Sequence, residues 1–425
     1  MLIRGAMAVV GGELIRADVL VEGERIAKVA SRIEGDEETV DATGLILLPG
    51  LVDCHVHFRE PGLTHKEDFY TGGCAALAGG VTTIIDMPNT KPPTTTKAAW
   101  QEKLERAKSK AVCDYALYFG GVDGNQDEVE RTSPPFLKIY LGHSTGALGV
   151  KDEEARGHFE RFPHNRLLAV HAEDEECVRA ALRAREGTRL TASIHHLLRP
   201  KQCALRAVEK AARWSQEVGR RTHLCHATTR EEVEAAKASG LSVEVTPHHL
   251  FLSTKDIREL GNYAKVNPPL REPHDVAGLW GALERIDCIA TDHAPHTRDE
   301  KEQAYVDSPS GMPGLETTLP LFLDAARRGR IRLERFVAMA CSSPAKIFGL
   351  ESKGEIAVGK DADLVLVDAR ERWIVRGDEL HTKCRWSAFE GRELVGKVKK
   401  TILRGAIVFE DGQVLAKRGF GKRLA

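Results

Sequence analysis

Residues 50–58 read GLVDCHVHF, and the way this stretch is read decides the fold. An apolar, β-branched start leads into two histidines, His55 and His57, with Arg59 two positions further on. On a strand, alternate side chains leave the same face, so all three would share one side. Seven stretches of the same character follow: GVTTIIDMP (80–88), CDYALYFGG (113–121), FLKIYLG (136–142), RLLAVHAE (166–173), THLCHAT (222–228), SVEVTPHH (242–249) and DCIATDHAP (287–295). Between them lie amphipathic segments such as KEDFYTGGCAALAGG (66–80), TKAAWQEKLERAKSK (96–110), QCALRAVEKAARWSQEVG (202–219) and TREEVEAAKASG (229–240). Strands alternating with helices predict an α/β fold, and the periodicity by itself admits either a barrel or a doubly wound open sheet.

The placement of reactive residues separates the two. His55 and His57 close the first stretch, Lys138 lies in the fourth, and His171, His226 and Asp292 end the fifth, sixth and eighth. A barrel gathers the carboxyl ends of its strands over one mouth, whereas an open sheet spreads them along a line. Convergence therefore favours a (β/α)8 TIM-type barrel.

The two ends of the chain differ from the middle. MLIRGAMAVV, ADVLVEG, RIAKVA and LILLPG read as short strands, as do EIAVG, DADLVLVD, WIVRG, GKVKKTILRG and AIVFEDGQVL near the other end. A few isolated strands are rarely stable alone. The expected organisation is one small β-sandwich domain built from residues 1–50 and 346–425, with the barrel over 51–345.

Composition narrows the classes. The chain has 425 residues, 42% apolar, with a formal net charge of −1. That balance offers no basic face for nucleic acid or an anionic membrane. No run of 18 apolar residues occurs, and Arg4, Glu13, Arg16 and Asp18 interrupt the start, so neither a membrane span nor a signal peptide is expected. Nine cysteines without a CxxC pair read as reduced, buried thiols in a cytoplasmic chain. Charged residues at 29%, beside five Asn and six Gln, match a thermophile bias.

Four imidazoles and a carboxylate at one mouth suit zinc or a similar divalent ion, and they can supply two metals if an anion bridges them. Lys138, set between Phe136, Leu137, Ile139 and Tyr140, is costly to bury as an ammonium. A neutral amine can take up carbon dioxide as a carbamate, an anion with two oxygens. The other histidines are expected to be structural or exposed, His195, His196, His248 and His249 among them. Cys54 and Cys225 each fall one residue out of phase with a proposed ligand, which points to barrel packing.

GLVDCHVHFREPG, GGVTTIIDMPNTKPPT, LAVHAED, LCHAT, VTPHHL, VNPPLR and ATDHAPH, in this order, resemble the amidohydrolase superfamily, and within it the dihydroorotases of the carboxylated-lysine type found in archaea. The likeness runs from about residue 45 to 365 and includes GEIAVGKDADLVLVD. It implies that His55, His57 and Asp292 hold the more buried metal, that His171 and His226 hold a second, and that a carbamate on Lys138 bridges them. It further implies that Arg59, Asn89 and His296 hold a substrate carboxylate, while Asn267 and the backbone at Pro313 and Gly314 meet the ring.

The implied reaction is the reversible cyclisation of N-carbamoyl-L-aspartate to L-dihydroorotate in pyrimidine (UMP) biosynthesis. A hydroxide held between two metals, most simply zinc, attacks the ring amide, with Asp292 as general base and then acid. The implied partner is a small molecule, and the assemblies to expect are a homo-oligomer or an association with aspartate carbamoyltransferase. Gly142, Ser144, Thr145, Gly146 and Gly149 form a loop that is a candidate lid, and the polar stretch 296–311 is expected to be mobile. The alternatives are a hydantoinase/dihydropyrimidinase or an allantoinase, which share the metal set, and a non-catalytic scaffold homologue. Arg59 separates the first group, because a dihydropyrimidinase substrate carries no carboxylate for it. A scaffold would have lost ligands that are all present here.

Overall fold

The computed structural model describes residues 1–35, 37–142 and 148–425, so Ser144, Thr145 and Gly146 of the candidate lid lie outside the described residues. Eight strands form the barrel: β1 (Leu51–Val56), β2 (Val81–Asp86), β3 (Asp114–Gly120), β4 (Phe136–Leu141), β5 (Leu167–Ala172), β6 (Thr222–Leu224), β7 (Ser242–Val245) and β8 (Cys288–Ile289). Each pairs in parallel with the next, in chain order. A bridge between Val56 and His293 closes the ring. Asp53 reinforces this seam, accepting from the Thr291 hydroxyl at 2.6 Å and from the Thr291 and His55 backbone N–H groups.

The first five strands are buried along their whole length, as expected where helices cover a parallel sheet. Their outer side chains pack on helices that carry matching stripes. Lys201–Val218, for example, buries Cys203, Ala204, Ala207, Val208, Ala211, Ala212 and Ser215 at helical spacing and stops at Gly219, whose φ of 63° is easiest for glycine. Inward side chains form a separate cluster that includes Val52, Cys54, Ile85, Ala116, Tyr118, Phe136, Ala169, Cys225 and Cys288.

Both ends of the chain meet in one nine-stranded sheet, in the order 413–414, 406–410, 393–403, 364–374, 46–49, 2–10, 13–22 and 25–30, with 39–41 beside 2–10. Alternation explains its two faces. Leu47, Leu364, Leu366 and Ile402 enter the sandwich core with Ile3, Val19 and Ile26, while Leu48, Val365, Val367 and Leu403 join the barrel core. The junction also holds a buried ionic knot. Lys353 Nζ lies 2.6 Å from Asp114, 2.7 Å from Asp363 and 3.0 Å from Asp361, and Arg404 pairs with the same Asp114.

Three expectations change. EIAVG (355–359) is not a strand: Gly354 and Gly359 take φ of 80° and 86°, so the segment turns at both ends and buries only Ile356 among its apolar side chains. WIVRG is not separate, because Trp373 and Ile374 complete the long strand 364–374. The cysteines are not all thiols either. Cys177 and Cys203, on helices Glu175–Arg183 and Lys201–Val218, form a disulfide, and the other seven are free and buried. Helix packing brings their Cα atoms to 5.3 Å, a proximity that no local motif encodes. Among the described residues no helix is long and apolar enough to cross a membrane.

Candidate active site

The cleft at the carboxyl ends of the strands is lined by His55, His57, Arg59, Asn89, Tyr140, His171, His226, Asn267, Asp292, Ala294, Ser310 and Gly311. Strand β1 ends at Val56, so only His55 of the opening trio lies on it. The two histidines converge by another route. His55 Nε2 and His57 Nε2 lie 3.3 and 2.9 Å from Asp292 Oδ1, and the three ligand-type groups sit within 4.8 Å of one another. Arg59, His226 and Asp292 all take positive φ, 63°, 35° and 47°. Non-glycine residues held in the left-handed region cost energy and concentrate at functional sites.

His55 and His57 are each oriented by a neighbour. His55 Nδ1 lies 2.5 Å from Glu244 Oε1, and His57 Nδ1 donates to Asn89 Oδ1 at 2.6 Å. Both contacts leave Nε2 to face Asp292. Glu244 is fully buried and also meets His223 Nε2 at 3.0 Å, the His226 N–H at 3.1 Å and Cys54 Sγ at 3.3 Å. His171 Nδ1 and His226 Nε2 face each other at 2.9 Å. His171 Nε2 lies 3.2 Å from Glu173 Oε2 without hydrogen-bond alignment, and Glu173 in turn holds Arg199 at 2.6 Å.

These groups suit divalent metal binding. Two imidazole nitrogens facing each other at 2.9 Å call for a shared proton or a shared cation, and His226 Nδ1 is buried without a partner among the described residues. Lys138 is fully buried, and its Nζ lies 2.8 Å from Cys225 Sγ and 5.1 Å from the centre of the Tyr140 ring. The other clusters of ligand type, Cys54–His223–Glu244 and His55–Cys225–Glu244, share Glu244, which bonds Cys54, His55 and His223, while Cys225 meets Lys138.

Cys54 and Cys225 do pack in the barrel, but inside it. The phase argument fails because β1 shifts register between Asp53 and Val56, and because His226 has turned its backbone.

Charge follows the geometry. Among the protein groups alone, burial works against a charged His55, but the Glu244 and Asp292 carboxylates outweigh it and hold the imidazole up at about 10. Burial dominates at His57 and pulls it down to about 4. Burial also lowers His171 and His226. Burial would raise Asp292, yet His55 and His57 hold its carboxyl well below the usual range. Arg59 is buried, donating from Nε to Pro295 O at 3.1 Å and facing His296 Nε2 from Nη2 at 3.1 Å. No carboxylate forms an ion pair with it among the described residues.

Most of the expected site residues meet here. His296 stands behind Arg59 and does not line the cleft. Pro313 and Gly314 are not brought to it. They line a separate small cavity with His293 and Glu316, and the Gly314 N–H is taken by His293 Nδ1 at 3.2 Å. The reason is the bridge between His293 and Met312, which draws the chain in beside the end of β8, so that Ser310 and Gly311 form the cleft wall instead.

Two positions were missed. Glu244 had a visible signal, a carboxylate inside the apolar run SVEV. His195, expected to be structural or exposed, is buried and bonded to Asn267. His248 and His249 do not end a strand but sit on the short helix Pro247–Phe251, both buried. The polar stretch 296–311 is anchored: Lys265 Nζ reaches Tyr305 O and Ser308 O at 2.6 Å, and Lys301 Nζ reaches Pro309 O at 2.9 Å and Gly311 O at 3.0 Å.

Known proteins share this architecture. Residues 46–408 match the model of the amidohydrolase family. A dihydroorotase from Halobacterium salinarum is 42% identical over 409 residues, 95% of each chain. One from Methanosarcina mazei is 39% identical over 432 residues, covering 96% of this chain and 94% of that one. Among solved structures, the L-hydantoinase (dihydropyrimidinase) from Arthrobacter aurescens superposes with a TM-score of 0.95 at 31% identity, over 100% of this chain and 99% of that chain.

Proposed function

The chain belongs to the amidohydrolase family and, within it, to the dihydroorotases, and from that premise we propose how its cleft interconverts N-carbamoyl-L-aspartate and L-dihydroorotate. His55, His57 and Asp292 would hold one divalent ion and His171 and His226 a second, with a carbamate formed on Lys138 from carbon dioxide as a further ligand. We take the ions to be zinc, which suits a set rich in imidazole. Such a pair supplies Lewis-acid polarisation of the ring amide and acidifies water near neutral pH.

The chain's own residues do the rest. Arg59 and the Asn89 amide grip the carboxylate beside the ring nitrogen, with His296 steadying Arg59. Asp292 takes the proton of the attacking water at its second carboxylate oxygen, Oδ1 being turned toward His55 and His57, and passes it to the leaving ring nitrogen. Ring closure runs in reverse and needs Asp292 protonated at the start. Hydrolysis should therefore gain from rising pH, and cyclisation should lose. Limbs running in the same direction would contradict the role of Asp292.

The observation that carries this reading is Arg59, a buried guanidinium in the cleft wall with no acidic partner among the described residues. A buried charge without an ion pair is expensive, and a bound carboxylate lowers the cost. The same point sets a hydantoinase or dihydropyrimidinase second, despite the close structural likeness. The deciding experiment assays purified protein and Arg59→Lys on dihydroorotate, hydantoin, dihydrouracil and allantoin. We expect dihydroorotate to be preferred, and Arg59→Lys to keep its metal while losing about 100-fold or more in kcat/KM. A preference for hydantoin that survives the substitution sinks the reading.

Residues 51–345 would act as the catalytic barrel, with 1–50 and 346–425 as its composite β domain. The seven free, buried thiols favour a cytoplasmic setting. Self-assembly or docking to aspartate carbamoyltransferase is the assembly to test by sedimentation.

A further inference from the structure

We propose that His195 is a positioning residue, which locks the Asn267 amide with its oxygen turned away from the cleft and its NH2 turned toward the substrate. The inference rests on the functional reading above and adds to it a residue outside the cleft wall.

The contacts determine the tautomer. His195 Nε2 lies 2.9 Å from Val266 O and 3.0 Å from Asn267 Oδ1. Both are acceptors, so the proton belongs on Nε2. His195 Nδ1 then carries a lone pair, and the Tyr305 hydroxyl, 2.6 Å away, donates to it. The opposite tautomer would set a lone pair against two oxygens. A doubly protonated ring is also disfavoured, because burial pulls His195 down to about 3. One arrangement satisfies all four groups.

That arrangement consumes Asn267 Oδ1. Asn267 lines the cleft, so the atom it has left to offer there is its NH2 donor. Asn89 is set in the same way, with its Oδ1 taken by His57 Nδ1. The cleft lining thus includes three donors: two amide NH2 groups and the Arg59 guanidinium. A ring with two carbonyl oxygens and a carboxylate presents acceptors, so the match is complementary. A reversed Asn267 amide would set an oxygen against a ring carbonyl. Tyr305 belongs to the stretch clamped by Lys265 and Lys301, which makes the lock part of a braced loop.

The test uses the metal-loaded protein and dihydroorotate, with variants His195→Phe, His195→Gln and Tyr305→Phe. His195→Phe should raise KM by about 10-fold or more with kcat changed less than about threefold and metal content unchanged. His195→Gln, whose amide can still donate to Asn267 Oδ1, should recover most of the loss. Tyr305→Phe should shift KM in the same direction by less. A purely structural His195 would lower Tm and leave KM alone, and unchanged KM in folded His195→Phe and Tyr305→Phe overturns the proposal. If His195→Phe does not fold, Tyr305→Phe decides by the same criterion. If the unmodified protein does not turn over dihydroorotate, the functional reading fails, and imidazole 15N NMR then decides this one. A neutral Nε2–H tautomer, assigned by its loss in His195→Gln, supports the lock, and an Nδ1–H tautomer refutes it.

Discussion

His57 donates from Nδ1 to Asn89 Oδ1 at 2.6 Å, and this contact ties the candidate metal ligands to the proposed pocket for the substrate carboxylate. One amide serves both, its oxygen orienting His57 and its NH2 left to the cleft. Asn89→Asp keeps an oxygen for His57 but replaces the donor with a negative charge. It should retain metal through dialysis against a chelator while KM for dihydroorotate rises at least about 10-fold. Asn89→Ala should lose on both counts, with metal affinity down about 10–100-fold. Full metal retention in Asn89→Ala would show that His57 does not need the amide.

Glu244 and His55 make metal uptake depend on pH. The carboxylates hold the His55 imidazole up at about 10, so its Nε2 proton has to leave before a metal can bind. Protons compete at low pH, and affinity should climb as pH rises toward that value. Glu244→Gln should flatten the climb, because the main charge holding the proton is gone, and weaken binding at high pH about 10–100-fold through lost orientation. Competition titrations at several pH values test both effects; a flat profile in the unmodified protein would refute the charge state.

The knot between barrel and β domain predicts a stability effect away from the cleft. Burial would lower the Lys353 ammonium, but Asp363 and Asp114 outweigh it and hold it above the usual lysine range. Its contribution is complete below the ordinary lysine pKa and fades as pH rises through the raised value. Lys353→Met leaves Asp114 and Asp363 buried beside one another and should cost about 3–5 kcal/mol in unfolding free energy. Thermal or denaturant unfolding measures it, and a Tm within a degree of the parent would mean the carboxylates are satisfied without the lysine.

The Cys177–Cys203 bond closes a loop with a sequence separation of 26. Constraining a loop of that size in the unfolded chain is worth about 3 kcal/mol. Reduction or Cys203→Ser should lower Tm by several degrees and leave kcat/KM within about twofold. Unfolding scans with and without reductant decide it, and overlapping curves would show the bond adds nothing.

Much of the barrel was legible because its signals are local. Period and β-branched content marked all eight strands, and the ligand-type residues stood at their ends. The failures share a cause. Gly354 and Gly359 turned EIAVG away from extension, the register shift in β1 and the turned backbone at His226 broke the simple phase rule for Cys54 and Cys225, and the disulfide joined helices by packing.

Local sequence was enough to show the alternation of elements, the candidate ligand residues His55, His57, Lys138, His171, His226 and Asp292, and the arginine proposed to read a carboxylate. Each is a matter of residue type and spacing along one segment. Long-range packing sets the neighbour of each side chain: Glu244 behind His55, Asn89 against His57, His195 holding Asn267, and Ser310–Gly311 in the cleft wall in place of Pro313–Gly314. The first three pairs are 189, 32 and 72 residues apart and meet only through tertiary folding, while the bridge between His293 and Met312 sets the last exchange.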